Sequence, residues 1–146
     1  MTHHAASADL IAAFRRTNYC VHTDPRMTLH IGESSPMLLD LHHSHKVNSS
    51  VFITACNPLS QLMSEDENAK RMGQLCNELT QRSLTFFEGL GQNPSMEWPG
   101  EPSYLVLDMS MQAAMALGRK YEQHAIVFSE FDALPQLILL TGSAPA

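Results

Sequence analysis

The sequence predicts an α/β (α+β) chain built on a mixed β-sheet, and three observations carry that expectation. Two runs, Val51–Cys56 and Ser103–Asp108, are almost continuously apolar, so both belong inside a sheet rather than at its edge. From Val51 to Ser129 the elements read β-α-β-β-α-β, the split pattern of a ferredoxin-like core over 51–129. The 146 residues suffice for one buried core without covalent staples, so a single domain, 1–146, is expected. A helix-strand-helix extension precedes the core and one strand follows it. The rival is a doubly wound parallel sheet, which the additional strand-helix unit at 27–46 favours.

In chain order, Ser7 is placed to cap a helix carrying Leu10, Ile11 and Phe14, with Arg15 and Arg16 at the negative end of its dipole. That helix is expected to end near Asn18. Thr23-Asp24-Pro25 has turn chemistry, and Met27–Ile31 alternates with period two until Gly32. Ser34-Ser35-Pro36 opens a short helix to about Lys46, with serine at the cap and proline at the first position. After the strand Val51–Cys56, Asn57-Pro58 breaks the apolar run. Ser64-Glu65-Asp66-Glu67 is a capping box, in which Ser64 accepts from the Glu67 amide and Glu67 reaches back. The helix it opens runs to about Arg82, with Ala69, Met72, Leu75, Cys76 and Leu79 as its buried stripe. Leu84–Leu90 reads as a strand closed by Gly91, and 92–102, with three prolines and the single tryptophan, as a loop. Ser110 caps a last helix whose Met111, Ala114, Met115, Leu117 and Tyr121 face inward. Strands at 124–129 and 135–140 complete the order.

Composition narrows the function classes. Net charge is −6 and the nine basic residues are scattered, which argues against nucleic acid as a partner. No window approaches the roughly 20 apolar residues of a membrane span. The three cysteines, Cys20, Cys56 and Cys76, lie apart within apolar patterns and read as buried free thiols, which with the absence of a leader pattern points to a cytoplasmic protein. His42, His43 and His45 invite a zinc reading. Only His42 and His45 share a helix face, however, and histidines in a last helical turn also suit the dipole, so neither metal nor cofactor is assigned.

The candidate site follows from strand direction. With right-handed crossovers, 51–56 and 84–90 run parallel to each other while 103–108 and 124–129 run the opposite way. The end of the Asn57 strand then adjoins the starts of the other two. Asn57, Ser60, Glu101, Ser103, Gln123 and His124 would share one rim, with Asn68 in the following helical turn and Trp98 lying over them. Glu101 is the one carboxylate there and the candidate acid/base; the amides and hydroxyls are candidate ligand holders. The same groups would also make a structural hydrogen-bond network. Cys56 beside His124 is an imaginable nucleophile-base pair, against which a buried inert thiol is the simpler reading. Three functions stay open: binding of a small polar ligand, a nucleotide or metabolite; a metal-independent enzyme using Glu101; and an interaction or regulatory module that meets another protein, or a second copy of itself as a homodimer, through a sheet face or edge.

The linked segments Phe52-Ile-Thr-Ala-Cys-Asn-Pro-Leu-Ser60, Glu67-Asn68, Trp98-Pro-Gly-Glu-Pro-Ser-Tyr-Leu-Val106 and Gln123-His-Ala-Ile-Val127 resemble the bacterial domain-of-unknown-function family 3293. The resemblance covers about residues 27–140. It departs at Cys56, where an aromatic is usual, and at Tyr121-Glu122, where the family tends to carry Phe-Gly. It implies no settled activity, yet its signature residues are those that strand direction gathers on one rim.

Overall fold

Among the described residues, each of the four α-helices begins at a serine whose hydroxyl accepts from an amide of the first turn. The pairs are Ser7 with Leu10 in α1 (Ala8–Arg16), Ser35 with Leu38 in α2 (Pro36–His45), Ser64 with Glu67 in α3 (Glu65–Gln81) and Ser110 with Ala113 in α4 (Met111–Lys120). Each such cap is worth about 1 kcal/mol. At α3 the forward bond, 3.1 Å, forms, whereas the Glu67 carboxylate lies exposed and makes no return bond. The computed structural model describes residues 6–95 and 99–141.

Among the described residues seven strands form one sheet: β1 (Asn18–Val21), β2 (Met27–Leu29), β3 (Ser49–Ile53), β4 (Phe86–Gln92), β5 (Glu101–Leu107), β6 (Ala125–Glu130) and β7 (Gln136–Leu139). Their order is β2-β1-β4-β5-β3-β6-β7, and each neighbouring pair is antiparallel. The sheet is therefore antiparallel where a mixed one was expected, and the doubly wound parallel alternative falls with it. The physical reason lies in the crossovers: the connections through α3 and α4 each return the chain two strands away, leaving an oppositely directed strand between, and the α2 connection from β2 to β3 spans four positions with the same result. The two apolar runs, now β3 and β5, are neighbours in the interior, where both faces are covered.

The N-terminal extension also differs, being helix-strand-strand-helix. Asn18–Val21 leaves α1 directly into β1, a strand too short for a period-two signal, and pairs with both β2 and β4. β4 does not stop at Gly91 but continues to Gln92, and β5 already begins at Glu101, so the intervening loop is shorter than the sequence suggested. Glycine in β4 marks close packing rather than a strand end. A Cβ on Gly89 would lie 2.5 Å from the Cys20 carbonyl oxygen and 2.9 Å from the Phe52 ring.

The sheet is covered on both sides. On one face Val51, Ile53, Val106, Ile126 and Phe128 pack against Met72, Leu75 and Leu79 of α3 and Ala114 and Leu117 of α4. Gly118 lets α4 approach closely: a Cβ there would sit 2.5 Å from Leu140 Cδ1 and 2.9 Å from Ile126 Cγ2. Ala69, expected in the α3 stripe, is exposed, and Cys76 is half-buried. On the other face Tyr19, Val21, Met27, Leu29, Phe52, Leu105, Leu107 and Val127 form a second core with Leu38 of α2. α2 covers one end of that face and α1 lies over the other. Among the cysteines, all three are free; Cys56 is buried, whereas Cys20 and Cys76 are half-buried. No helix among the described residues is long and apolar enough to cross a membrane.

Candidate functional site

At the end of β3 the chain turns through three residues with left-handed backbone: Asn57 (φ 49°), Leu59 (φ 50°) and Ser60 (φ 60°). Asparagine adopts that conformation readily; leucine does so at a cost. The turn is held by the bond from the Leu59 amide to the Glu122 carbonyl oxygen, 2.6 Å, and by those from Ser60 to Asn57 and from Gln61 to Pro58. This fold-back aims the Asn57 side chain across to β5 and α3. Its Nδ2 donates to Glu101 Oε2 at 2.7 Å, while its Oδ1 accepts from Asn68 Nδ2 and from the Met63 amide, both at 2.9 Å. The Asn57 amide in turn donates to Asn68 Oδ1 at 2.9 Å. Two asparagines thus clamp each other and present one amide hydrogen to a carboxylate.

Glu101 and Ser103 alternate onto the same face of β5, and the Ser103 hydroxyl donates to the Glu101 carbonyl oxygen at 3.0 Å. Gln123, just before β6, donates through Nε2 to the carbonyl oxygens of Cys56 (3.0 Å) and Tyr121 (3.1 Å), locking the end of β3 to the end of α4. Loss of solvent raises the Glu101 carboxyl above its ordinary value, and the Asn57 amide offsets part of that rise.

These groups line one end of a cavity of about 510 Å³ between α1 and the sheet. Its floor is the edge-to-face pair of Tyr19 and Phe52, with ring centroids 5.2 Å apart, seated over the glycines of β4. Val127, Ala125 and Leu137 continue the wall, Leu10, Ala13 and Phe14 of α1 form the roof, and the exposed Arg16, Ser60 and Leu62 stand at the mouth.

Of the residues singled out from sequence, Asn57, Ser60, Glu101, Ser103 and Gln123 line this cavity. Asn68 does not reach it and acts through Asn57. His124 is turned away: its Nδ1 bonds Thr141 Oγ1 at 2.6 Å, and its carbonyl oxygen accepts from the Leu140 amide. Trp98 lies outside the described residues. Cys56 does not pair with His124; its thiol points at the Pro102 carbonyl oxygen, 3.7 Å away, and burial raises its pKa, which disfavours the thiolate that nucleophilic attack needs. The histidines of α2 do structural work. His42 is buried against Ser50 Oγ at 2.8 Å, His43 stacks on Phe131, and His45 meets the edge of Phe87. No cluster of three metal-ligating side chains occurs among the described residues.

Residues 53–126, half of the chain, match the model of the family described as Protein of unknown function (DUF3293). The chain belongs to this family. No curated protein and no solved structure is similar enough to match. The stretch matching DUF3293 holds the Asn57, Glu101 and Gln123 end of the cavity, whereas Phe52, Tyr19 and the roof of α1 precede it. Glu122, where the resemblance led to an expectation of glycine, stands at φ 59°, a left-handed backbone to which glycine is suited.

Two contributors escaped sequence reading. Tyr19 is hidden because it falls between the expected helix end near Asn18 and the Thr23 turn, in a stretch too short to carry a strand signal. Arg71 lies on an exposed-looking turn of α3, yet its Nε donates to the Ala55 carbonyl oxygen and its Nη2 to that of Tyr121, both at 2.6 Å. It thereby fixes the strand end that carries Asn57. A lone arginine in a polar helix gives no sequence signal for such a role.

Proposed function

We propose that the cavity beneath α1 binds a small polar ligand, a nucleotide or metabolite, with Glu101 and Asn57 at its polar end. The observation that carries this reading is the cavity itself. Its volume of about 510 Å³ lies in the range of roughly 300–1,000 Å³ common for small-molecule sites. Its walls are mainly apolar, and a few polar groups converge at one end, the usual division between affinity and orientation. A desolvated carboxylate facing such a space is costly to keep for structure alone, which supports a role toward a ligand. The order β6-β3-β5-β4, with α3 and α4 on one face, supports reading the unit from β3 to β6 as a ferredoxin-like core whose opposite face is adapted as the binding surface.

The test is a thermal-shift screen across nucleotides and metabolites, repeated in Ala13→Trp, which fills the cavity from its roof. A stabilising compound that loses its effect in that variant supports the reading; a blank across the panel, or a stabiliser indifferent to Ala13→Trp, overturns it.

A second reading rests on the raised Glu101 pKa. A carboxyl that holds its proton more readily than usual is suited to general acid/base chemistry without a metal. Glu101→Gln would then abolish turnover even at compound concentrations that saturate the site.

A further inference from the structure

The donors along the inner wall are largely spent within the protein. The Tyr19 hydroxyl donates to the Phe14 carbonyl oxygen at 2.6 Å, Thr54 to that of Pro102 at 2.7 Å, and Ser103 to that of Glu101 at 3.0 Å. Gln123 commits Nε2 to two carbonyl oxygens, and Asn57 directs Nδ2 at Glu101. What these groups still offer is acceptor capacity. Glu101 Oε1 makes no bond among the described residues, Gln123 Oε1 makes none either, and the hydroxyl oxygens of Tyr19 and Ser103 retain lone pairs. Donor capacity survives mainly toward the mouth, in Ser60, Arg16 and the Asn93 amide. A ligand group that reaches the inner end meets oxygens with lone pairs, one of them on a carboxylate, beside the aromatic floor of Tyr19 and Phe52.

We infer that the cavity selects ligands that present a hydrogen-bond-donating nitrogen group, an amine, amidine or amino-substituted ring, to Glu101 and Gln123, with a flat apolar body against Tyr19 and Phe52. This rests on the cavity being a ligand site and names the class it takes. An anionic group at the inner end would face Glu101 with little more than the second hydrogen of Asn57 Nδ2 to offset the repulsion, so carboxylate and phosphate groups are disfavoured there. A nucleotide would enter amino edge first, leaving its phosphate at the mouth near Arg16.

The experiment compares isosteric probes by amide chemical-shift titration of the whole chain: benzamidine against benzoate, and tryptamine against indole-3-propionate. The nitrogen bases are expected to shift residues of β1, β5 and the 57–60 turn, with affinity at least tenfold above the matching acids. Glu101→Gln should weaken the bases about tenfold to a hundredfold, the size of a lost charge-assisted bond. If that variant does not fold, the comparison of base with acid on the natural chain decides. Acids binding as well as or better than bases, with the effect lost in Ala13→Trp, would overturn the donor-group inference while leaving a ligand cavity. Bases indifferent to Glu101→Gln would overturn it as well, and no probe binding at all would remove both.

Discussion

Asn57 and Glu101 illustrate how one side chain can serve the fold while its neighbour burdens it. Asn57 has both sides of its amide engaged, with α3, with the Met63 amide and with Glu101, whereas Glu101 receives one bond and loses solvent. The first contributes to stability and the second detracts from it, the pattern of a group retained for contact with something outside the chain. A fully buried titratable residue, His42, has no cavity and a clearer signature in stability. Burial lowers its pKa from the ordinary 6.5, and the Phe131 carbonyl and Asp132 only partly counter that. The unfolded chain therefore takes up a proton near that ordinary value while the native chain does not. Stability attributable to His42 is full at higher pH and declines as pH falls through about 6.5. Melting temperature should drop more steeply between about pH 7.5 and 5.5 in the natural protein than in His42→Gln, which can bond Ser50 without titrating. Equal slopes would show that His42 is not the source. Glu101 has the opposite sign, its native form holding the proton more readily, so its contribution weakens as pH rises through its raised native value.

Among the elements, β4 sets the depth of the cavity. Its glycines at 89 and 91 face the same side, yet their surroundings differ. A Cβ at Gly89 would collide with backbone, the Cys20 carbonyl oxygen at 2.5 Å, while one at Gly91 would meet only Thr17 Cγ2 at 3.8 Å and Phe52 Cε1 at 3.9 Å. Gly89→Ala should push β1 from β4 and cost about 1–3 kcal/mol in urea unfolding, as overpacking does, with Gly91→Ala within about 0.5 kcal/mol of the natural chain. The reverse ranking would mean that the β1 pairing can shift to accommodate a methyl group. α1 contributes no fully buried residue, so its place over the sheet depends on contacts around the cavity rather than on the main core. That makes it the element best suited to respond to an occupant.

At the scale of the whole molecule, the sheet carries two separate apolar layers, and β3 joins them: Val51 and Ile53 face α3 and α4, while Phe52 faces Tyr19 and Leu105. Loss of either layer exposes one side of the same central strands, so neither should survive alone. Leu79→Ala beneath α3 and Leu38→Ala beneath α2, both with 0 % exposure, should each cost about 2–5 kcal/mol. Both should leave a single transition by far-ultraviolet circular dichroism and tryptophan fluorescence. Separate transitions for the two layers would show that they fold independently.

Local chemistry was legible wherever a residue acts on its own neighbours. The serine caps, the breaks at Asn57-Pro58 and the doubly apolar runs of β3 and β5 are all short-range statements, and the sequence by itself determined the helices and the interior place of those strands. It also marked Asn57, Glu101, Ser103 and Gln123 as polar groups at strand ends. What depended on distant partners was decided only by the tertiary structure: the strand Asn18–Val21, which is defined by β2 and β4 on either side; the turning of His124 toward Thr141; and the roof that α1 places over Tyr19 and Phe52. Periodicity reports which face of an element is apolar, but a cavity is the space between faces that do not meet, and that space exists only once the elements are packed.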